Sequence, residues 1–264
     1  MSKQMKSYTE LATSMCPALE ELIAEGDAPI DRIEIGPWFT VEAIQDLYQR
    51  LPDLKFHLHD GDIHNTYGNL NSVIEIMQAQ HTVTDSPFVS LHITLMFPGM
   101  VRIRKYGLPV PRLPHSVMQQ RLIRRIHQIK DAFDKLVILE NLPGFPKFPI
   151  EADPQRIKII CDATDCDMLL DLGHARCGAD NLDMDIYEYL SQLPLERVRQ
   201  IHTHGARVGR WNKLEDAHEP MQAIDYEILS WLLERTQPDI LTLEYWKDKE
   251  AIRTQLHRLR EMIS

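Results

Sequence analysis

The sequence predicts a single (β/α)8 barrel spanning residues 1–264. Three observations lead there. Strand-like and helix-like segments alternate from end to end, the mark of an α/β protein with parallel strands. Eight strand candidates within 264 residues suit a fold of ~250 residues. The strand interiors are Val, Ile, Leu and Met runs, as expected where both faces of a sheet are covered. An open doubly wound sheet would usually show a glycine-rich phosphate turn, and neither GxGxxG nor a Walker loop is present.

The strands, in order, are TELATSM (9–15), IDRIEIG (30–36), LKFHLH (54–59), FVSLHIT (88–94), LVILEN (136–141), DMLLDLG (167–173), VRQIHTH (198–204) and DILTLEY (239–245). Helices separate them. Pro17 suits the first turn of ALEELIAEG, and Gly26 suits its end. Thr40 can cap VEAIQDLYQRL. Residues 116–134 carry apolar spacing near 3.6, and Asp153-Pro154 is a helix start for QRIKIICDAT. Residues 184–193, 220–235 and 248–263 read as further helices. Residues 95–115 and 205–220 read as long loops, which often form lids on the catalytic face.

Composition narrows the function. A net charge of -10 argues against general binding to nucleic acid or acidic membranes. The N-terminus has no apolar signal core, and no run reaches the ~18 apolar residues of a membrane span. A cytoplasmic setting is therefore expected. Cys16, Cys161, Cys166 and Cys177 form no CxxC pair, so reduced core thiols are expected. Cys177 stands out because it closely follows DLGH.

The chemistry lies where strands end. KFHLHD (55–60), VSLHIT (89–94), VILENL (137–142), MLLDLGH (168–174), RQIHTHG (199–205) and LTLEYW (241–246) each run from apolar residues into His, Asp, Glu or Asn. Apolar strands do not bury ionisable groups unless these are paired or bound to metal. In a barrel, all the C-terminal strand ends meet on one face. His57 and His59 share a strand face, as do His202 and His204. His92, Glu140, Asn141 and Asp171 end their strands, and His174 follows in a loop. Asp216 and His218 form a D-x-H pair in EDAHEP that could close over the site, and Glu244 completes the ring. Imidazole and carboxylate donors suit zinc, iron or manganese, and their number suits two or three ions. Arg207, Arg210 and Lys213 could hold a substrate carboxylate or phosphate, and Arg102, Arg104 and Lys105 lie in the other long loop.

Each residue has a plainer reading. Asn141 suits a turn before Pro143, and Glu244 could pair with Lys247 or Arg253. His127 and His257 read as surface residues, and His64, His81 and His115 as solvated loop or helix-end positions. The joint pattern, not any one residue, favours metal.

LENLP, LLDLGHARCGADN, IHTHG with DAH downstream, and LEY resemble the ordered motifs of the DUF692 family, the multinuclear non-haem iron-dependent oxidative enzymes. The resemblance runs from about residue 30 to 246. It implies a (β/α)8 barrel related to xylose isomerases and endonuclease IV. It implies two or three irons, O2 as co-substrate, and oxidation of cysteine or another residue in a ribosomally made peptide, often delivered by a small partner protein. Carried onto this chain, the metal shell is His57 or His59, His92, Glu140, Asn141, Asp171, His174, His202, Asp216, His218 and Glu244. Glu140, Asp171 and Asp216 are the catalytic candidates, and Arg207 and Arg210 the substrate-binding ones. The chain departs from the family at three points. TELATSM lacks the usual glycine-leucine start, Leu91 replaces the acid of S-D-H, and HLHDGD offers two histidines. The alternatives are a redox-neutral sugar isomerase, epimerase or hydrolase using zinc or manganese, and a non-enzymatic barrel that binds a partner or sequesters metal.

Overall fold

The computed structural model describes residues 8–66, 68–100, 113–146, 148–209 and 212–264. Eight parallel strands form one sheet: β1 (Glu10–Ser14), β2 (Arg32–Ile35), β3 (Lys55–Leu58), β4 (Phe88–His92), β5 (Leu136–Glu140), β6 (Asp167–Asp171), β7 (Val198–Thr203) and β10 (Ile240–Leu243). Their spatial order is β3-β2-β1-β10-β7-β6-β5-β4. The ring closes between β3 and β4 without a ladder. Asp60 and Gly61 each donate a backbone N–H to Ser90 O at 3.1 Å, and His92 donates to Gly61 O at 3.1 Å. This is the barrel that the alternation of segments predicts, and TELATSM supplies its first strand.

Period-two alternation sorts each strand. One set of positions points outward into the large cluster shared with the helices, as Ile33, Leu91, Leu139, Leu170 and Leu241 do. The other set fills the barrel. Ala12, Phe88, Ile138, Leu169 and Ile240 form a separate inner apolar cluster. One pleat further along lie Ser90, Glu140, Asp171 and Thr242, all buried. The interior thus changes from apolar to polar within a few ångströms toward the C-terminal strand ends.

Helices α1 (Pro17–Ala24), α2 (Val41–Arg50), α3 (Leu70–Thr82), α4 (His115–Lys130), α5 (Pro154–Thr164), α6 (Leu172–Asn181), α7 (Ile186–Ser191), α8 (Ala223–Leu233) and α9 (Lys249–Ile263) lie between the strands or after them. The expected caps form. Thr40 Oγ1 accepts the Ala43 N–H at 3.2 Å, and the Asp153 carboxylate accepts that of Gln155 at 3.1 Å ahead of Pro154. Among the described residues, no helix is long and apolar enough to cross a membrane.

Three expectations need correction. Residues 205–220 are mostly an antiparallel hairpin, β8 (Gly205–Val208) and β9 (Leu214–Glu219), rather than a loop. His174 lies on α6, not in a loop: Asp171 ends β6 and also caps the helix, accepting the His174 N–H at 2.5 Å. His64 and His81 are buried rather than solvated. Arg125 holds the carbonyls of His64 (2.6 Å) and Thr66 (3.1 Å), folding the segment under α4. His81 is drawn inward by the buried Asp60 carboxylate, 3.1 Å from its Nε2. Arg102, Arg104, Lys105 and Arg210 lie outside the described residues.

Candidate metal centre

The strand-end residues converge at the C-terminal mouth of the barrel. His59 Nε2, His92 Nε2 and Glu140 Oε2 lie 3.0–3.1 Å from one another. Two ligands at right angles and ~2.1 Å from one ion stand ~3.0 Å apart, so these three atoms are spaced as neighbours in one coordination shell. Glu140 Oε2 is buried and accepts no well-aligned hydrogen bond. A second group joins Asp171, His174 and His204. Asp171 Oδ2 and His204 Nε2 are both buried without a hydrogen-bond partner. Glu244 belongs to two more, one with His204 and His218 and one with Glu34 and His202, and a further group joins Glu140, Asp171 and His202. Glu140 links the first two groups, because its Oε1 lies 3.1 Å from His174 Nδ1. Asp216 links the second and third, at 3.2 Å from His174 Nε2 and 3.0 Å from His218 Nδ1.

Hydrogen bonds behind the imidazoles select which nitrogen faces the centre. Ser90 Oγ lies 3.1 Å from His59 Nδ1, and Asp62 Oδ1 lies 3.2 Å from His92 Nδ1. The Asn141 carbonyl takes His174 Nδ1–H at 3.0 Å, and the Gly205 carbonyl takes that of His204 at 3.2 Å. All four therefore offer Nε2 inward. His202 is reversed: its Nε2 lies 2.9 Å from Glu34, and its Nδ1 lies 3.3 Å from Glu244 Oε1.

Two glycines make the approach possible. A methyl on Gly173 would stand 2.5 Å from both ring nitrogens of His204. One on Gly205 would stand 2.9 Å from the Glu219 carbonyl, where the hairpin closes. The hairpin register shifts between Gly205 and Ala206, and His218 takes φ 44°. A β-carbon residue in that region signals a conformation imposed by its surroundings. Here the His218 ring stacks on His204, with centroids 4.2 Å apart.

The carboxylates and imidazoles hold one another charged. Burial alone would raise the Glu140 carboxyl, but the charges of His92 and His59 hold it well below its usual range. Burial opposes charge on His92, yet Glu140 and Asp62 carry it up to about 10. His218 is likewise raised to about 10 against burial, by Asp216 and Glu244. By contrast, burial pushes His57 down and His64 to about 4, so these two are neutral imidazoles. A ring of carboxylates each sharing protons with imidazoles is a ring in which cations can replace those protons.

Some expected residues sit elsewhere. His57 lies one pleat deeper than His59, buried against Glu34 at 3.0 Å, so of the two it is His59 that meets His92 and Glu140. Asn141 spends its side chain on the backbone of Asp171: Oδ1 accepts the Asp171 N–H at 2.9 Å and Nδ2 donates to Asp171 O at 3.0 Å. Glu244 pairs with neither Lys247 nor Arg253, since Lys247 reaches Glu219 and Arg253 reaches Glu25. Arg207 is 59% exposed, within 4 Å of Glu215 and Glu219. Cys177 is buried, and burial pushes its thiol up to about 12. Glu34 was not foreseen. It obeys the same strand-end rule in IDRIEIG, a segment outside the six.

Above the donors lies a cavity of about 720 Å³. Its donor side includes Glu34, His59, His92, Glu140, Asp216 and Glu244. Its outer wall is apolar, with Phe39, Phe145, Trp38 and Trp246, the last two exposed. Among the described residues, no Lys or Arg lines it.

Fold and site together define a (β/α)8 barrel with donor groups for several ions at its C-terminal mouth. The chain belongs to the family described as "RiPP precursor modification enzyme MbnB/TglH/ChrH", which matches residues 69–262. It is similar to UPF0276 proteins: 32% identical over 114 residues to one from Caulobacter vibrioides, covering 42% of this chain and 40% of the relative. To one from Anaeromyxobacter it is 30% identical over 149 residues, covering 54% and 52%. The matched stretch thus spans about half or less of these relatives. Among solved structures, a xylose isomerase domain containing protein from Salmonella typhimurium aligns with TM-score 0.63 and 12% identity over 97% of both chains. Endonuclease IV from Thermus thermophilus aligns at 0.59 and 17%, covering 96% of this chain and 98% of that one. At such identities these two likenesses speak to the fold alone. The family match begins after β3, so Glu34 and His59 are placed by geometry alone.

Proposed function

We propose that this protein is a multinuclear non-haem iron enzyme that uses O2 to oxidise a residue, such as cysteine, in a ribosomally made precursor peptide. The observation carrying this reading is the convergence of overlapping donor groups with unpartnered lone pairs, in a member of a family described as modifying such precursors. The donor set fits the metal. Imidazole and carboxylate without thiolate suit iron, and the free inward atoms of Glu140, Asp171, His202 and His204 need a cation. His59, His92 and Glu140 would hold one ion, Asp171, His174 and His204 a second, and His202 and Glu244 would take part in a third, with His218 and Asp216 beside them. When bound, iron would supply positions for O2 and a substrate thiolate and would exchange electrons with them.

The chain's own groups do the rest. Glu140 would tie the His59–His92 group to that of His174. Asp216 lines the cavity as a carboxylate, held in that form by His174 and His218. Trp38, Phe39, Phe145 and Trp246 form an apolar rim that receives peptide side chains and keeps water out. Among the described residues no Lys or Arg lines the cavity, which suits a substrate whose anion is neutralised at the metal centre rather than a sugar phosphate. Arg207, exposed on the hairpin, would then contact peptide lying beyond the cavity, and a small partner protein could deliver that peptide.

The test is elemental analysis and Mössbauer spectroscopy on anaerobically purified protein, followed by incubation with O2 and a cysteine-containing precursor peptide. Two or three irons per chain, some ferric and some ferrous, with a mass change on the peptide, are expected. Zinc or manganese alone, unchanged after iron reconstitution, would overturn the reading in favour of redox-neutral chemistry.

A further inference from the structure

Behind the centre lies a buried polar node. Glu34 Oε2 receives His57 Nε2 at 3.0 Å, His202 Nε2 at 2.9 Å and Gln200 Nε2 at 2.9 Å. The Gln200 amide has two hydrogens, and Glu34 and Thr242 Oγ1 (2.8 Å) take both. Gln200 Nε2 also lies 2.9 Å from His202 Nε2; with both amide hydrogens assigned to Glu34 and Thr242, His202 Nε2 is assigned as a donor to Glu34. Its other nitrogen, Nδ1, is fully buried without a hydrogen-bond partner and lies 3.3 Å from Glu244 Oε1. Glu34 thus stands to His202 as a carboxylate stands to a metal-bound histidine. Behind His59 and His204 the groups are neutral: the Ser90 hydroxyl and the Gly205 carbonyl.

We propose that Glu34 is a positioning residue: it fixes His202 with Nδ1 toward Glu244 and so sets the affinity of one ion site without holding the ion itself. This rests on the multinuclear reading above. Glu34 also lies within reach of an ion shared with His202 and Glu244. The three N–H groups on Oε2 favour the positioning role, and the experiment separates the two.

Full-length apo protein is titrated with Co2+ for affinity. Zn2+-loaded protein labelled with 15N-histidine is examined by long-range 1H–15N correlation, which reports the tautomer of each ring. In wild type, His202 is expected as the Nε2–H form. Glu34→Gln is expected to weaken one equivalent of Co2+ by about 10- to 100-fold and shift only the His202 and His57 signals, leaving the other equivalents unchanged. Should Glu34→Gln fail to fold, Glu34→Asp, which withdraws the carboxylate from His202, carries the same expectation. Complete loss of one equivalent with the His202 tautomer intact would overturn the proposal and make Glu34 a ligand. Unchanged affinity and unchanged His202 signals would overturn it while leaving the multinuclear reading standing. A wild type whose histidine signals do not respond to Zn2+ would overturn both.

Discussion

Gly173→Ala separates two opposed effects at one atom. Gly173 lies in the first turn of α6, with a backbone that any residue adopts. Helix propensity alone would make alanine the better residue by about 0.5–1 kcal/mol. The new methyl, however, would stand 2.5 Å from Nδ1 and Nε2 of His204, over 1 Å inside ordinary contact. The ring has nowhere to go. It is fully buried, its Nδ1 is tied to Gly205 O at 3.2 Å, and its face is stacked on His218 at 4.2 Å. Relief means withdrawing Nε2 from Asp171, now 3.3 Å away. Overpacking of this kind costs about 1–3 kcal/mol, which outweighs the helical gain. The variant should therefore be less stable than wild type without metal, and the deficit should grow with metal because one ion site is also damaged. Thermal unfolding by circular dichroism, with and without chelator, together with elemental analysis, measures both parts. A variant as stable as wild type with its full metal complement would refute the steric reasoning.

Three other outcomes are expected. Glu140→Gln should weaken ion binding by roughly 100-fold at the His59–His92 group and disturb the group of His174, while the metal-free protein keeps its fold; equilibrium dialysis with Co2+ checks this. Trp38→Ala should raise KM for a peptide substrate by about 5-fold with kcat unchanged, since an exposed rim aromatic worth about 1 kcal/mol binds ground and transition states alike. Thr40→Ala should lower stability by about 1 kcal/mol through loss of the α2 cap and leave metal content untouched, as denaturant unfolding with elemental analysis would show.

The barrel and most of the centre were legible because both follow from short-range rules. Apolar strands reveal themselves in runs, and an ionisable residue at the end of such a run needs a reason, as with His92, Glu140, Asp171 and Glu244. Asp216 and His218 were visible as a D-x-H pair, but the hairpin carrying them was not. LEDAHE has only Leu214 and Ala217 as apolar residues, so no strand-like alternation marks it. Helix α6 was hidden by Gly173 and Gly178, which lower helix propensity, and by the double duty of Asp171. The choice between His57 and His59 depended on depth along β3, and two residues on one face of a strand read alike in sequence. The burial of His81 depends on Asp60, 21 residues away, a pairing that only the folded chain brings together.

The seam between β3 and β4 gives the first donor group a mechanical side. Every other neighbouring pair of strands is zipped by a ladder, whereas here three backbone hydrogen bonds around Asp60, Gly61 and Ser90 make the join. His59 stands on one lip of this seam and His92 on the other. A cation gripped by both works like a clasp on an open collar: loading it fastens the hoop, and stripping it leaves the join as the place where the barrel is freest to part.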